Sequence, residues 1–246
     1  MGIPLLSVTP ALDAPIDTID SSFARSTSPF LESMWQLRGA LLLSNSGQGP
    51  RKILFTSCNL GEGSTTIACA QACALALRDA RVLLIDGDMR RPAVMRLFGL
   101  SNEVGLSSVL SETTSAERSL QAVKGIPNLA VMTSGPVPAS APLLLSAERM
   151  RTLLGPVMQK FDFILIDSPP FLGLVDSSSL AQFSDAVVLV SSYAKLKRPQ
   201  VTRVAKVLNR IGRSIVGVAL NFADSESMSS YGYSSPYRTL KKGDRA

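Results

Sequence analysis

Short hydrophobic segments recur from residue 52 onward and alternate with longer segments of mixed polarity. Six of them predict strands, and several of these are nearly continuous in apolar residues, as expected for strands that are covered on both faces. The six segments span 52–57, 81–86, 128–134, 161–167, 185–192 and 214–220. Helical spacing of apolar residues predicts helices over 64–79, about 143–160, about 176–183 and 199–212. This alternation predicts a mainly parallel, doubly covered sheet in a three-layer α/β/α arrangement.

The two ends of the chain differ from this pattern. Residues 1–28 are rich in Pro, Ser, Thr and Asp and lack helical periodicity, so we expect a flexible lead segment. A helix is predicted over 29–44, because Ser28 suits the N-cap and Pro29 the first helical position. Residues 222–246 shift to Ser, Tyr and Gly and then to basic residues, and we expect a flexible tail. A single α/β domain should therefore span 29–221.

Composition narrows the chemistry and the compartment. The 246 residues are 46% hydrophobic, which is enough for a sizeable core, and the formal net charge is +6. Histidine is absent, which excludes histidine general bases and histidine metal ligands. The three cysteines, Cys58, Cys69 and Cys73, suggest buried thiols rather than a disulfide framework, which fits a reducing cytoplasm. With no secretion signal and no apolar run near ~18 residues, we expect any membrane association to come through a partner.

A glycine-rich turn separates the first predicted strand of the domain from the helix that follows. The turn reads "SCNLGEGSTT", in which Gly61 and Gly63 let the backbone bend tightly and expose its N–H groups. The helix that follows presents its positive dipole end to this loop, which favours phosphate. Thr65 stands where a hydroxyl would bind Mg²⁺. Taken alone, the turn fits a phosphate site and a purely structural strand-to-helix connection equally well.

Aspartates follow two other predicted strands. "VLLIDGDMRRP" places Asp86 and Asp88 at one strand end, and "FDFILIDSPP" places Asp167 at another. The carboxyl ends of strands in such sheets converge on the crevice where ligands bind. Carboxylates in that crevice can hold Mg²⁺ or accept a proton from a hydroxyl. Together with the glycine loop, they predict a nucleotide site.

These stretches resemble the bacterial tyrosine kinases of capsule and exopolysaccharide synthesis, a deviant Walker class of P-loop ATPases, over about residues 28–240. "TSCNLGEGSTT" is similar to the Walker A motif of that family, "LLIDGDMRRP" to its Walker A′ and "FDFILIDSPP" to its Walker B. "GPVPASAPLLL" resembles the Gly…Pro…Leu-Leu segment of the family. Weaker similarities are "SYGYSSPY", to its tyrosine-rich tail, and "ESMWQLR", to its oligomerisation motif.

The resemblance implies a P-loop fold and a role for each matching residue. Thr65, Asp88 and, through water, Asp167 would hold Mg²⁺, and Asp86 would be the candidate base. The nucleotide, ATP or ADP, would bind at Gly61, Glu62, Gly63, Ser64, Thr65 and Thr66. The phosphoacceptors would be Tyr231, Tyr233 and Tyr237, presented to a neighbouring subunit of a homo-oligomer. Oligomerisation would involve Glu32, Trp35 and Arg38.

Three departures from the family pattern bear on activity. Ser64 stands where the family has the lysine that contacts the β- and γ-phosphates. Arg90 and Arg91 are the nearest cations in sequence that would substitute, although surface or subunit-contact pairing is the favoured role for them. Trp35 replaces the middle arginine of the oligomerisation motif, as an interface anchor or as a core residue. Asn59 occupies the place of the extra lysine of partition-type relatives.

These features leave three functions to weigh. The favoured one is a cytoplasmic kinase-like regulator of exopolysaccharide synthesis or export, with reduced or lost autophosphorylation and weak nucleotide binding. It would dock on the cytoplasmic segment of a membrane polysaccharide co-polymerase at the inner membrane, with no specific nucleic-acid partner. The alternatives are a fully active tyrosine autokinase that uses another cation, and a partition- or septum-site-type positioning ATPase. The missing second lysine and the tyrosine tail speak against the last.

Overall fold

The computed structural model describes residues 2–12, 16, 18, 19, 28–44, 49–224 and 228. Its strands are β1 Leu5–Pro10, β2 Lys52–Ser57, β3 Val82–Asp86, β4 Gln121–Val123, β5 Ile126–Met132, β6 Phe163–Asp167, β7 Ala186–Ser192 and β8 Ile215–Ala223. Its α-helices are α1 Pro29–Leu43, α2 Ser64–Ala76, α3 Val94–Phe98, α4 Leu106–Leu110, α5 Ala141–Leu144, α6 Ala147–Met158, α7 Val175–Phe183 and α8 Arg198–Arg210. Short 3₁₀ helices span Glu117–Ser119 and Tyr193–Lys195.

The strands form one sheet in the order β1-β8-β7-β2-β6-β3-β5-β4. Every neighbouring pair is parallel except β4 and β5, which run antiparallel at one edge. The central strands are buried along nearly their whole length, as their continuous apolar sequences predict. The predicted α/β class with a mainly parallel, doubly covered sheet is therefore confirmed.

Hydrophobic side chains pack on both faces of the sheet. On one face, α1 and α2 contribute residues such as Leu37 and Ile67 to a continuous core. On the other face, α6, α7 and α8 contribute Leu154, Leu180 and Leu208. Burial of a Leu or Ile side chain stabilises the fold by about 1.5–3 kcal/mol. No helix within the described ranges is long and apolar enough to cross a membrane.

The N-terminal segment requires a correction, because residues 5–10 form a strand rather than part of an irregular lead. β1 pairs in parallel with β8 at the edge of the sheet, and Val8 is fully buried. Its sequence, LLSVTP, gives no clear strand signal, because the polar residues Ser7 and Thr9 are buried as well as the apolar ones. The Thr9 hydroxyl accepts a hydrogen bond from Ser33 of α1 at 3.2 Å, which satisfies a polar group inside the core.

The boundaries of other elements differ from the sequence prediction by a few residues. The Ser28 hydroxyl caps α1 as predicted, accepting from the Leu31 N–H at 3.3 Å. β8 continues to Ala223, two residues into the predicted tail, so the start of that tail at 222 is wrong. The helix predicted at about 143–160 is two helices, α5 and α6. The short strand β4 was not predicted, because three residues carry too little periodicity.

Candidate functional site

The glycine turn joins β2 to α2 at the carboxyl edge of the sheet. Gly61 and Gly63 have φ values of 75° and 88°, in the left-handed region that a side chain would strain. Gly63 is the N-cap of α2 and supplies no capping side chain. The first-turn N–H groups of a 13-residue helix therefore lack a side-chain cap at the loop. This arrangement favours a bound phosphate.

Glu62 anchors the same turn to the interior. Its carboxylate is buried and accepts hydrogen bonds from the Asn59 N–H at 2.8 Å and the Ser191 hydroxyl, at the end of β7, at 3.1 Å. The Asn221 side chain, near the end of β8, donates to the Glu62 carbonyl at 3.1 Å. The Gln200 amide in α8 donates to the Asn59 side chain at 3.1 Å. Three elements thus hold the loop in one conformation.

The sequence reasoning did not identify Ser191, Gln200 or Asn221. Ser191 and Asn221 lie near the carboxyl ends of β7 and β8, at the same edge of the sheet as Asp86 and Asp167, and Gln200 lies in the first turn of α8. For Ser191 and Asn221, the position near a strand end was the only signal in the sequence that could have found them. A small polar residue at such a position is too common to be informative by itself.

Asp86 and Asp167 end adjacent parallel strands and lie directly opposite each other in the ladder. Both side chains are fully buried. Asp86 accepts hydrogen bonds from the backbone N–H groups of Asp88, Ala93 and Val94, at 3.1, 3.3 and 3.2 Å. Asp88 is partly exposed and accepts from the next backbone N–H groups along the chain, those of residues 90 and 91. The predicted acidic residues therefore meet at one edge.

Burial of these carboxyl groups changes their proton affinities. Desolvation raises the pKa of Asp86 from 3.8 to about 7, against the opposing effect of its backbone hydrogen bonds. The pKa of Asp167 is also raised well above its usual value, first by burial and then by the charge of Asp86. The Thr65 hydroxyl, which lies nearby, lowers it in part. At neutral pH one carboxyl of this pair can therefore hold or accept a proton.

Asp167 is the residue whose surroundings best fit a bound cation. Both of its oxygens are buried, and neither has a hydrogen-bond partner at normal distance and angle among the described residues; the Thr65 hydroxyl stabilises the carboxylate only in part. An unpaired buried carboxylate is costly unless a metal, a water or a ligand compensates it. Carboxylate and hydroxyl oxygens suit Mg²⁺, so Asp167 and Thr65 fit that ion.

The protein side chains alone do not form a complete metal cage. Within the part of the chain that the structure describes, no three His, Cys, Asp or Glu side chains cluster closely enough to bind a metal. Mg²⁺ commonly keeps several waters and binds through one or two carboxylates together with substrate phosphates. The residues at this edge therefore fit Mg²⁺ that arrives with a phosphate chain.

Ser64 begins α2 in a buried position, and one of the two candidate arginines, Arg90, is engaged with another residue. The Arg90 side chain donates to Asp176 of α7 at 2.6 Å, and Asp176 is almost fully buried. Arg91 is exposed. Among the described residues, no Lys or Arg side chain forms an ion pair with Asp86 or Asp167. Arg90 thus has the pairing role that the sequence left open.

Phe222 is a further residue at the loop that the sequence analysis missed. Its φ of 59° is unusual for a bulky side chain, and 45% of its surface is exposed. A Cβ built on Gly63 would lie 3.3 Å from the Phe222 ring, so the ring sits beside the phosphate loop. Strain of this kind is often found at ligand sites.

The predicted oligomerisation residues lie on α1, which packs mainly on β1 and α2. Glu32 is exposed and Arg38 partly buried. The Trp35 ring is partly buried against the core, with the Arg78 guanidinium 5.3 Å from its centre. Glu32, Trp35 and Arg38 are thus not drawn into the acidic cluster. The predicted phosphoacceptors lie outside the described residues: Tyr231, Tyr233 and Tyr237.

Comparison with known proteins adds independent findings. An AAA domain family matches residues 51–216. The tyrosine-protein kinase YwqD of Bacillus subtilis is 35% identical over 183 residues, which cover 74% of this chain and 77% of that protein. The kinase domain of the Escherichia coli tyrosine kinase ETK superposes with a TM-score of 0.83 at 25% identity, covering 91% of each chain.

The fold also extends to ATPases with other biological roles. The septum site-determining protein MinD of Pyrococcus horikoshii, solved with Mg-ADP, superposes with a TM-score of 0.59 at 25% identity. That match covers 70% of each chain. The wider coverage by the kinase domain shows that more of this fold is shared with the kinases than with that ATPase.

Proposed function

The chain belongs to the bacterial tyrosine kinases of capsule and exopolysaccharide synthesis, and we propose that it is a kinase-like regulator whose autophosphorylation is reduced or lost. The observation that carries the proposal is the combination of a phosphate loop without its lysine and an acidic strand edge that is otherwise complete. Ser64 begins the helix at the loop, while Asp86 and Asp167 face each other on β3 and β6.

Binding of ATP or ADP with Mg²⁺ is supported by the uncapped start of α2 and by the unpaired carboxylate of Asp167. The backbone of Gly61–Thr66 would surround the β-phosphate. Thr65 and Asp88 would hold Mg²⁺, with Asp167 acting through water. When bound, Mg²⁺ would neutralise the charge that develops on the phosphate oxygens. We further propose that the base of the nucleotide stacks on Phe222, the exposed ring beside the loop.

Asp86 is suited to accept the proton of a tyrosine hydroxyl. Burial raises its pKa to about 7, and a general base works best when its pKa lies near the working pH. Three backbone N–H groups hold the carboxylate in place, so its orientation is set by the fold before a substrate arrives. Residual transfer to Tyr231, Tyr233 or Tyr237 would therefore use Asp86.

The reduction in activity follows from Ser64. A serine hydroxyl cannot follow the charge that moves onto the transferred phosphate, as a lysine ammonium can. Loss of one preorganised donor costs about 10²–10³ in rate, and loss of a charged contact on the order of 10³–10⁵. Arg90 is held by Asp176, which argues against its use as a substitute. Backbone groups and Mg²⁺ would still support weak nucleotide binding.

In this proposal, the protein acts by docking rather than by turnover. It would bind the cytoplasmic segment of a membrane polysaccharide co-polymerase and would be peripheral at the inner membrane through that partner. Homo-oligomerisation would involve Glu32, Trp35 and Arg38. The nucleotide state of the loop would then influence assembly of the polysaccharide machinery.

The test compares wild type with Ser64→Lys and with Ser64→Met, an unbranched uncharged side chain only one atom shorter than that of lysine. Each protein is incubated with ATP and Mg²⁺, and phosphate on Tyr231, Tyr233 and Tyr237 is measured by mass spectrometry. We expect Ser64→Lys to label at least about 10²-fold faster than wild type. We expect Ser64→Met to remain as slow as wild type.

Two results would contradict the proposal. Rapid labelling of the wild-type tail would show a fully active autokinase that uses another cation. Steady ATP hydrolysis without tyrosine labelling would instead favour a positioning ATPase of the partition or septum-site type. Calorimetry with Mg-ADP on the same preparations establishes whether a silent protein still binds nucleotide.

A further inference from the structure

A long stretch of the chain carries basic residues and no acidic residue. Between Asp185 and Asp224 the sequence has seven Lys and Arg side chains and neither Asp nor Glu. Six of them are exposed: Lys195, Lys197, Arg198, Arg203, Lys206 and Arg210. None of the six forms an ion pair with an acidic side chain in the described ranges. This stretch therefore carries a formal charge of +7, and six of the seven charges lie on α8 and the turn before it.

The fold gathers several of these cations on one surface. Arg203, Lys206 and Arg210 recur at helical spacing on the face of α8 opposite its buried residues Val204 and Leu208. A groove of about 480 Å³ is lined by Arg198, Pro199, Thr202, Arg203 and Lys206. Three cations thus border one open groove.

An apolar groove lies directly beside the basic one. Its volume is about 520 Å³, and Arg203 lines both grooves. Its other lining residues are mainly hydrophobic: Phe171, Leu172, Leu174, Val175 and Val207. Val175 is 68% exposed, and Leu196, in the basic turn, is 39% exposed. Large aliphatic side chains in water next to unpaired cations often mark an interaction surface.

We propose that this face, formed by α8, the preceding turn and the start of α7, binds the surface of an anionic lipid bilayer. Lipid headgroup phosphates would meet Arg198, Arg203 and Lys206. The exposed side chains of Val175 and Leu196 would enter the boundary between headgroups and acyl chains. Basic side chains together with exposed aliphatic ones are the combination that peripheral membrane binding requires.

The apolar component distinguishes this partner from nucleic acid. A duplex would engage the cations through its phosphates, but it offers little to exposed valine and leucine side chains. A bilayer accommodates both kinds of side chain at once. The surface also adjoins the phosphate loop, because Gln200 in the first turn of α8 donates to Asn59. Membrane contact would therefore occur next to the nucleotide site.

The experiment measures co-sedimentation of the full chain with vesicles of phosphatidylcholine alone and with added phosphatidylglycerol. We expect binding only to the anionic vesicles, with weakening at high salt. Each basic residue near such a surface contributes about fivefold in affinity, so Arg203→Gln/Lys206→Gln should lose roughly 25-fold. Val175→Ser should lose affinity for anionic vesicles without changing the salt dependence.

The matched control is Arg118→Gln/Lys124→Gln, which removes two exposed cations near β4, at the opposite edge of the sheet. It should bind like wild type. Equal loss in this control, or equal binding to neutral vesicles, would overturn the proposal. So would tighter binding to a DNA duplex than to anionic vesicles at the same salt. Thermal unfolding of each variant shows whether a loss of vesicle binding results from misfolding.

Discussion

Asp86 and Asp167 occupy paired positions on adjacent strands, and neither side chain is exposed to solvent. The pKa of each is raised, so the folded chain retains protons that the unfolded chain releases above about pH 4. The stability associated with these groups is complete below the unfolded pKa. It declines as pH rises through about 7, where Asp86 ionises. At neutral pH and without a bound cation, the folded protein is therefore destabilised by the same two carboxyl groups that would bind a metal.

Replacement of Asp167 by asparagine should remove part of this cost. We expect Asp167→Asn to gain about 1–3 kcal/mol relative to wild type at about pH 8, and much less at about pH 4.5. The same variant should lose the stabilisation that Mg-ADP provides. Urea unfolding at both pH values, with and without Mg-ADP, provides the measurement.

Asp162→Asn serves as the control, because Arg81 holds the pKa of the exposed Asp162 carboxyl down at about 2. The contribution of Asp162 to the free energy of unfolding has the opposite pH dependence, since its carboxylate stabilises the fold above about pH 4. A loss of stability in Asp167→Asn that grows with pH would contradict the assignment of Asp167 as an uncompensated charge.

Phe222 carries backbone strain at the mouth of the loop, and its ring is the candidate platform for the nucleotide base. Stacking of a base on an aromatic ring contributes about 1–3 kcal/mol. Phe222→Ala should therefore weaken ADP binding by at least about fivefold while leaving pyrophosphate binding unchanged. Calorimetry with both ligands tests this expectation. Equal weakening of the two would show that the ring only shapes the loop.

At the scale of secondary-structure elements, the phosphate loop depends on parts of the chain that are distant in sequence. Glu62 is held by the ends of β7 and β8, and Asn59 by α8. A Cβ on Gly63 would also overlap the Asn221 side chain, which makes glycine necessary there. The conformation of the loop is therefore set by three elements together, β7, β8 and α8.

The edge strand β1 offers a direct test at this scale. Val8 is fully buried between β8 and the helical layer, whereas Leu12, just beyond the strand, is 42% exposed. We expect Val8→Ala to lower the free energy of unfolding by about 1–3 kcal/mol and Leu12→Ala by less than about 0.5 kcal/mol. Urea unfolding of the two variants measures this difference. If neither substitution changes the free energy of unfolding, β1 contributes little to the stability of the fold.

At the scale of the whole molecule, the role of Trp35 distinguishes whether α1 stabilises the monomer or forms an oligomer interface. Its ring packs on the core and against Arg78, a contact within one subunit. Trp35→Ala should thus destabilise the monomer by about 1–3 kcal/mol. Glu32→Ala, on the exposed side of the same helix, should leave monomer stability within about 0.5 kcal/mol of wild type.

Light scattering and urea unfolding over a range of protein concentrations test both variants. If Trp35→Ala instead dissociates an oligomer and leaves monomer stability unchanged, the ring is an interface anchor. In that case the core contact with Arg78 contributes little. If both variants lower the oligomer mass, the residues of α1 form an oligomer interface, as the similarity to the family motif implies.

Much of the architecture was predictable because its signals are local. Continuous apolar strands, the cap at Ser28 and the glycine turn each depend on neighbouring residues, and the sheet and its acidic edge follow from them. β1 was missed because buried Ser7 and Thr9 make its sequence look polar. Only the helix packed beside the strand supplies Ser33, the hydrogen-bond partner that makes the burial of Thr9 acceptable.

The sequence by itself determined which chemical groups the candidate site contains, since glycine, hydroxyl and carboxylate at strand ends are present whatever the packing. Only the tertiary structure decided that Asp86 and Asp167 stand opposite each other, that Arg90 is committed to Asp176, and that Phe222 borders the loop. The physical reason is distance along the chain. These contacts join segments many residues apart, and no local pattern encodes which strand ends become neighbours until the sheet has assembled.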